Sequence, residues 1–175
     1  MNKAIFLDRD GTINIDVGYN INKDKFIFID GVLDSLKYFI EKGYYLFIVT
    51  NQSGIGRGYF SSQELKELHN WMEDILKQSG IYFKDILICP HLPEDNCDCR
   101  KPSSKLIDDA CHKFSIVKKD SFMVGDKLSD CNSGINANLG YNFLIESTYT
   151  SGKATSENIY KIKSLLDLKG FIESL

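Results

Sequence analysis

Two aspartates stand two residues apart in Asp8-Arg9-Asp10-Gly11-Thr12, directly after the apolar run KAIFL. Like charges this close, just past a buried strand, repel each other unless a cation sits between them. Gly11 allows the chain to turn sharply after the pair. A lone Asp-x-Asp at a strand end also serves turns and caps, so the pair needs company before it signifies chemistry. A second constellation is Cys89-Pro-His91 followed by Cys97-Asp-Cys99. Three thiolates and one imidazole suit a closed tetrahedral Zn²⁺ site. Such a site has no open position, so its metal is structural and fixes a loop that lacks a helix or strand of its own. The alternative is scattered core cysteines beside a solvated histidine. Asp95, Asn96 and Asp98 make the segment polar and speak against it. Cys111 and Cys131 read as structural core residues.

These groups need elements to position them. Residues 3–8 read as a buried strand that ends in acid. Residues 30–43 read as a helix with Val32, Leu33, Leu36, Phe39 and Ile40 on one face. YYLFIVTNQSG is a second strand running out into polar residues. Ser61 and Glu64 form a capping box that opens a helix to about Ser79. A third strand covers 85–89, the aperiodic segment 90–102 holds the Cys/His cluster, and a helix spans 103–114. Strand 121–125 leads into GDKLSD and a short helix ending near Gly140, followed by strand 141–145 and a last helix over about 156–168. Alternation of strand and helix predicts an α/β fold: a doubly wound, mostly parallel sheet with helices on both faces. In such sheets ligands bind beyond the carboxyl ends of the strands. Asp8, Thr50, Cys89 and Asp126 all fall at strand C-termini. Residues 11–29 leave no room for a large cap domain between the first strand and the first helix.

The chain has 175 residues, 43% of them hydrophobic and 26% charged, which suits one domain over 1–175. A formal net charge of −3 argues against nucleic acid as a partner. No apolar stretch approaches the length of a membrane span, and the N-terminus does not read as a signal peptide, so no membrane association and a cytoplasmic location are expected. Five cysteines, an odd number in a chain of this size, do not suggest a disulfide scaffold.

DRDGT, TNQSG, RKP and GDKLSD, in this order and spacing, resemble the haloacid dehalogenase superfamily of phosphohydrolases over roughly residues 3–145. The resemblance implies that Asp8 is a nucleophile forming an aspartyl-phosphate, and that Asp10 protonates the leaving oxygen and then takes a proton from water. It implies Mg²⁺ held by the Asp8 carboxylate, the Asp10 main-chain oxygen and Asp126. Thr50, with backbone N–H groups near Asn51, and Lys101 would stabilise the transferring phosphoryl group. Asp130 either touches a metal-bound water or caps the next helix, the cap being favoured.

The zinc-type loop CPH…CDCRKP resembles cap-less phosphatases of the D,D-heptose 1,7-bisphosphate and histidinol-phosphate group. That likeness implies Zn²⁺ on Cys89, His91, Cys97 and Cys99, and a small sugar-bisphosphate substrate. Arg100 and Lys127 would bind this substrate, and Asp16, Val17, Gly18, Tyr19, Asn51, Gln52 and Ser53 would line the pocket. Arg57 is either a further phosphate ligand or a solvated arginine. A monomer is expected. The heptose substrate is favoured over histidinol phosphate, with the anomer left open. A receiver-type signalling domain and a polynucleotide 3′-phosphatase are the more distant alternatives. A receiver accepts its phosphate on a middle strand and lacks the second aspartate.

Overall fold

The computed structural model describes residues 2–146 and 158–175. Six parallel strands form one sheet: β1 (Lys3–Leu7), β2 (Tyr44–Asn51), β3 (Phe83–Cys89), β4 (Phe122–Gly125), β5 (Tyr141–Ile145) and β6 (Tyr160–Ile162). Their order across the sheet is β3-β2-β1-β4-β5-β6. The helices are α1 (Val32–Glu41), α2 (Ser62–Gln78), α3 (Lys105–Phe114), α4 (Leu128–Asn136) and α5 (Leu165–Glu173).

Side chains alternate across a strand, and here both sets are apolar because both faces are covered. Ile5, Leu7, Leu46, Ile48, Phe122, Val124 and Phe143 face one layer, where they pack with Leu36 and Phe39 of α1, Leu68 and Met72 of α2, and Leu165 and Leu168 of α5. Ala4, Phe6, Phe47, Val49 and Met123 face the other layer with Ile107, Ala110 and Cys111 of α3. Cys131 of α4 packs there against Leu144.

The chain first winds β1-β2-β3 in one direction. It then returns across the sheet to place β4 on the other side of β1. The strand order therefore reverses between β1 and β4, and a crevice opens beyond their carboxyl ends. The Asp8 N–H still donates to the Val124 carbonyl at 2.9 Å, so the pairing holds up to the residue that enters the crevice. Residues 8–31 contain only a short 3₁₀ turn and isolated bridges, and no cap covers the crevice among the described residues.

One element departs from expectation. The predicted last helix over 156–168 is instead a strand followed by a helix. Tyr160 pairs with Phe143 on the edge of the sheet, and α5 begins only at Leu165. The physical reason lies in two contacts. The Tyr160 ring sits 5.5 Å from Phe143 and 5.8 Å from Phe171 of α5. Ser164 and Asp167 form a capping box that starts the helix four residues after Tyr160. Residues 156–157 lie outside the described residues.

Candidate active site

Asp8 leaves β1 and Asp126 leaves β4, so adjacent parallel strands deliver two carboxylates to the crevice. Asp130 joins them from the first turn of α4, and the three offer oxygens within 4.8 Å of one another, all buried. Lys101 runs in beneath them. Its Nζ lies 2.6 Å from Asp8 Oδ1, 2.7 Å from Asp130 Oδ1 and 2.6 Å from the Val49 carbonyl. Burial would lower the Lys101 pKa, but Asp130 and Asp8 outweigh it and hold the ammonium charged. Burial pushes Asp8 up to about 7, against the pull of Lys101. Burial likewise raises Asp126 to about 6. Asp126 Oδ1 is buried without a hydrogen bond, though Lys127 Nζ stands 3.5 Å away. One buried lysine among three buried carboxylates leaves surplus negative charge. A hard divalent cation matches such an all-oxygen set, so these residues fit Mg²⁺. Gly11 makes the close approach feasible: its φ is +83°, and a Cβ there would collide with the Asp126 carboxylate.

Asp10 sits beside this trio and is held from three directions. Arg9 Nη2 donates to both its oxygens at 2.9 Å, Asn14 Nδ2 donates to Oδ1 at 3.0 Å and Gln52 Nε2 to Oδ2 at 2.9 Å. Burial would raise its pKa, yet the Arg9 charge and these hydrogen bonds prevail and lower it. Gln52 also donates to the Thr50 hydroxyl at 2.8 Å, while its N–H bonds to the Cys89 carbonyl at 2.8 Å. The ends of β2 and β3 are thereby tied to Asp10.

Beyond β3 the four Cys/His groups converge. Cys89 Sγ lies 3.1 Å from Cys99 Sγ and 3.6 Å from Cys97 Sγ, and Cys97 to Cys99 is 3.7 Å. His91 Nδ1 stands 3.2 Å from Cys99 Sγ and 3.8 Å from Cys89 Sγ. A tetrahedron with metal–sulfur arms of about 2.3 Å has edges of about 3.7 Å. The cluster is therefore sized for Zn²⁺ and offers four ligands, which leaves no open position. Burial pushes the Cys89 thiol up to about 12. At Cys97 burial also opposes ionisation, but backbone N–H groups of Cys99 and Arg100 bring the thiol down to about 7. The loop then hands the chain to the active site. Arg100 Nη1 donates to the His91 carbonyl at 3.2 Å, and the Lys101 N–H donates to Asn51 Oδ1 at 3.1 Å.

A cavity of about 370 Å³ lies over these groups. Its floor carries Asp8, Asp10, Thr50, Lys101 and Asp130; Asn51, Gln52 and Ser53 form one wall. Asp16, Gly18, Tyr19, Arg100 and Lys127 stand at the mouth.

A family model described as polynucleotide kinase 3 phosphatase matches residues 3–149. A D-glycero-beta-D-manno-heptose-1,7-bisphosphate 7-phosphatase of Haemophilus influenzae is 42% identical over 182 residues, covering 100% of this chain and 99% of the relative. The enzyme of the same name from Helicobacter pylori is 45% identical over 82% of this chain and 84% of the relative. The chain belongs to this family of heptose-bisphosphate 7-phosphatases. The crystal structure of a D,D-heptose 1,7-bisphosphate phosphatase from B. bronchiseptica, complexed with magnesium and phosphate, superposes with a TM-score of 0.90 at 27% identity, covering 99% of both chains.

Most residues singled out in the sequence are brought together in this family member, with two exceptions. Val17 does not line the cavity and is half exposed. Arg57 is not a wall residue either. Its Nε donates to the Tyr19 hydroxyl at 2.9 Å, which props a rim residue instead. Asp130 does more than expected: Oδ2 caps α4 by accepting from the Lys127 N–H at 2.9 Å, while Oδ1 holds Lys101. The cap is the role favoured from the sequence, but only the fold brings Lys101 to the same carboxylate. Ser129, which also lines the cavity, and the buried pair Arg9 and His69 gave no sequence signal. Among the described residues no helix is long and apolar enough to cross a membrane.

Proposed function

We propose that this chain removes the 7-phosphate of D-glycero-β-D-manno-heptose 1,7-bisphosphate, giving the heptose 1-phosphate and inorganic phosphate. The β anomer is the one named in the relatives above. The observation that carries the reading is the salt-bridged Asp8 at the point where strand order reverses, with Lys101, Asp126 and Asp130 gathered round it.

An Asp8 carboxylate oxygen attacks phosphorus as the bond from phosphorus to the sugar oxygen breaks. Lys101 keeps Asp8 oriented through Oδ1 and faces the incoming phosphoryl oxygens with positive charge. The Thr50 hydroxyl, already accepting from Gln52, is free to donate its proton to one of those oxygens. Asp10 gives its proton to the departing sugar oxygen. Water then attacks the acyl-phosphate, Asp10 takes the proton back, and Asp8 is restored. Asp10 is held as a carboxylate in the free protein, so the proton it delivers is taken up as the negative phosphate enters and raises its pKa. Asp8, Asp126 and the Asp10 main-chain oxygen would hold Mg²⁺, which when bound supplies charge neutralisation for nucleophile and phosphate. Zn²⁺ on Cys89, His91, Cys97 and Cys99 would be structural.

One domain carries the entire site, and the open mouth leaves selection to its rim. Arg100 would offer a guanidinium fork to the distal phosphate, and Lys127, Asp16 and Tyr19, which line the same cavity, would meet the rest of the sugar. The product is a sugar 1-phosphate, the form a nucleotidyltransferase activates. Phosphate release with Mg²⁺ from the α and β heptose bisphosphates and from histidinol phosphate, side by side, tests the substrate. The β anomer is expected to give the highest kcat/KM, and a preference for histidinol phosphate would overturn the heptose reading. Asp8→Asn is expected to lower kcat by at least about a thousandfold with the unfolding transition preserved. Retained turnover would overturn the covalent route.

A further inference from the structure

Arg9 and His69 form a buried pair that the catalytic reading leaves without a role. Arg9 is 1% exposed and His69, on α2, is 4% exposed. Arg9 Nη1 lies 2.8 Å from His69 Nε2. A guanidinium has only donors and is always charged, so Nε2 must be the acceptor, and the histidine is neutral with its proton on Nδ1. Burial and the Arg9 charge both favour that neutral form and bring the His69 pKa down to about 3. The other edge of the same guanidinium points at the acid–base carboxylate. Nε lies 3.2 Å from Asp10 Oδ1, and Nη2 bonds both oxygens at 2.9 Å. A planar fork pinned at one corner has little freedom at the other.

We propose that His69 is a positioning residue for the reaction: by accepting the Arg9 Nη1 proton it fixes the plane of the guanidinium, and through it the place of the Asp10 carboxyl over the leaving oxygen. His69 lies sixty positions along the chain from Arg9, so this bond ties α2 to the catalytic loop. The cost of losing it is specific. Without an acceptor, Nη1 is a buried donor with no partner. The guanidinium then rotates to find one, and the fork on Asp10 is lost.

The proposal rests on Asp10 being the acid of the reading above, and its test separates the two. An alkyl phosphate has a poor leaving group and needs that acid. p-Nitrophenyl phosphate has a good leaving group and needs it little. The kcat/KM ratio between an alkyl and an aryl phosphate therefore reports proton delivery within each variant. Wild type, His69→Leu and His69→Gln are compared with Mg²⁺ on β-heptose bisphosphate and p-nitrophenyl phosphate, with glycerol 2-phosphate as the alkyl substrate if the sugar is not turned over. Failure of the wild type on the sugar thus falls on the substrate reading alone. His69→Leu removes the acceptor and is expected to lower the alkyl kcat/KM about tenfold or more, while the aryl value changes less than threefold. His69→Gln keeps an acceptor oxygen and is expected to recover the alkyl activity to within threefold of wild type. Equal losses on both substrates, no loss in a folded His69→Leu, or no recovery in His69→Gln would each overturn the proposal. If His69→Leu does not fold, Arg9→Lys decides: a single point charge cannot fork onto Asp10, so the same selective alkyl loss is expected, and an unchanged ratio overturns it.

Discussion

At the scale of the residue, the site's electrostatics turn on Lys101. It faces Asp8, Asp130 and the Val49 carbonyl from a fully enclosed position. Removing one partner of a buried pair leaves the other charges without compensation, at a cost of about 3 kcal/mol or more. Lys101→Met is therefore expected to lower unfolding free energy by about that amount in metal-free buffer and kcat by about a hundredfold. Mg²⁺ should restore part of the stability, since a cation taken up by the same carboxylates binds the native state only. Urea titrations with and without Mg²⁺ check this, and unchanged stability would show that the ammonium does not compensate those carboxylates. Which residues reach the crevice was legible where local pattern sufficed. Asp8, Asp10 and Asp126 follow apolar strands, and the spacing of the Cys/His groups marked them as a cluster that the fold brings together. What escaped were contacts between distant segments: Asp130 holding Lys101, Arg57 holding Tyr19, and His69 reaching Arg9. No periodicity encodes which surface two helices or loops present to each other.

At the scale of the element, Zn²⁺ on the Cys/His loop would act as a splint. Residues 90–102 contain one short 3₁₀ turn and no other regular structure, yet they deliver Arg100 and Lys101 to the cavity. Ordering such a segment costs about 1–2 kcal/mol per residue, which metal–ligand bonds can offset. The purified protein is expected to hold about one equivalent of Zn²⁺. Cys99→Ser, or stripping with a chelator followed by Mg²⁺ alone, should raise KM for the sugar bisphosphate about tenfold and open 90–102 to limited proteolysis. Metal analysis and protease mapping report the two effects separately, and a zinc-free protein with full affinity would sink the splint. Elements with long apolar periods were readable from sequence: α2 begins at its capping box, as the Ser61–Glu64 pair predicts. The C-terminal segment was not. A three-residue strand such as β6 is too short to show alternation, and its place is set by the aromatic contacts of Tyr160 with Phe143 and Phe171.

At the scale of the whole molecule, the doubly wound sheet explains why residues as far apart as Asp8 and Lys101, 93 positions along the chain, meet at one edge. The alternation of strands and helices made the parallel sheet legible. The strand order was not, because period and composition do not say on which side of β1 the returning β4 inserts. That order also sets which strands are left at the margins, β3 and β6. An open margin invites pairing with another copy unless it is short, charged or crossed by a side chain. β6 has three residues. On β3 Lys84 is exposed, and Lys113 of α3 reaches across to Asp85 Oδ2 at 2.9 Å. A second copy adding a strand to β3 would have to displace that ion pair and bring its own Lys84 against the same edge. The chain is accordingly expected to sediment as a monomer at micromolar concentration, with kcat independent of protein concentration. A dimeric mass that Lys84→Ala strengthens would show instead that β3 is an interface and that its charges only weaken it.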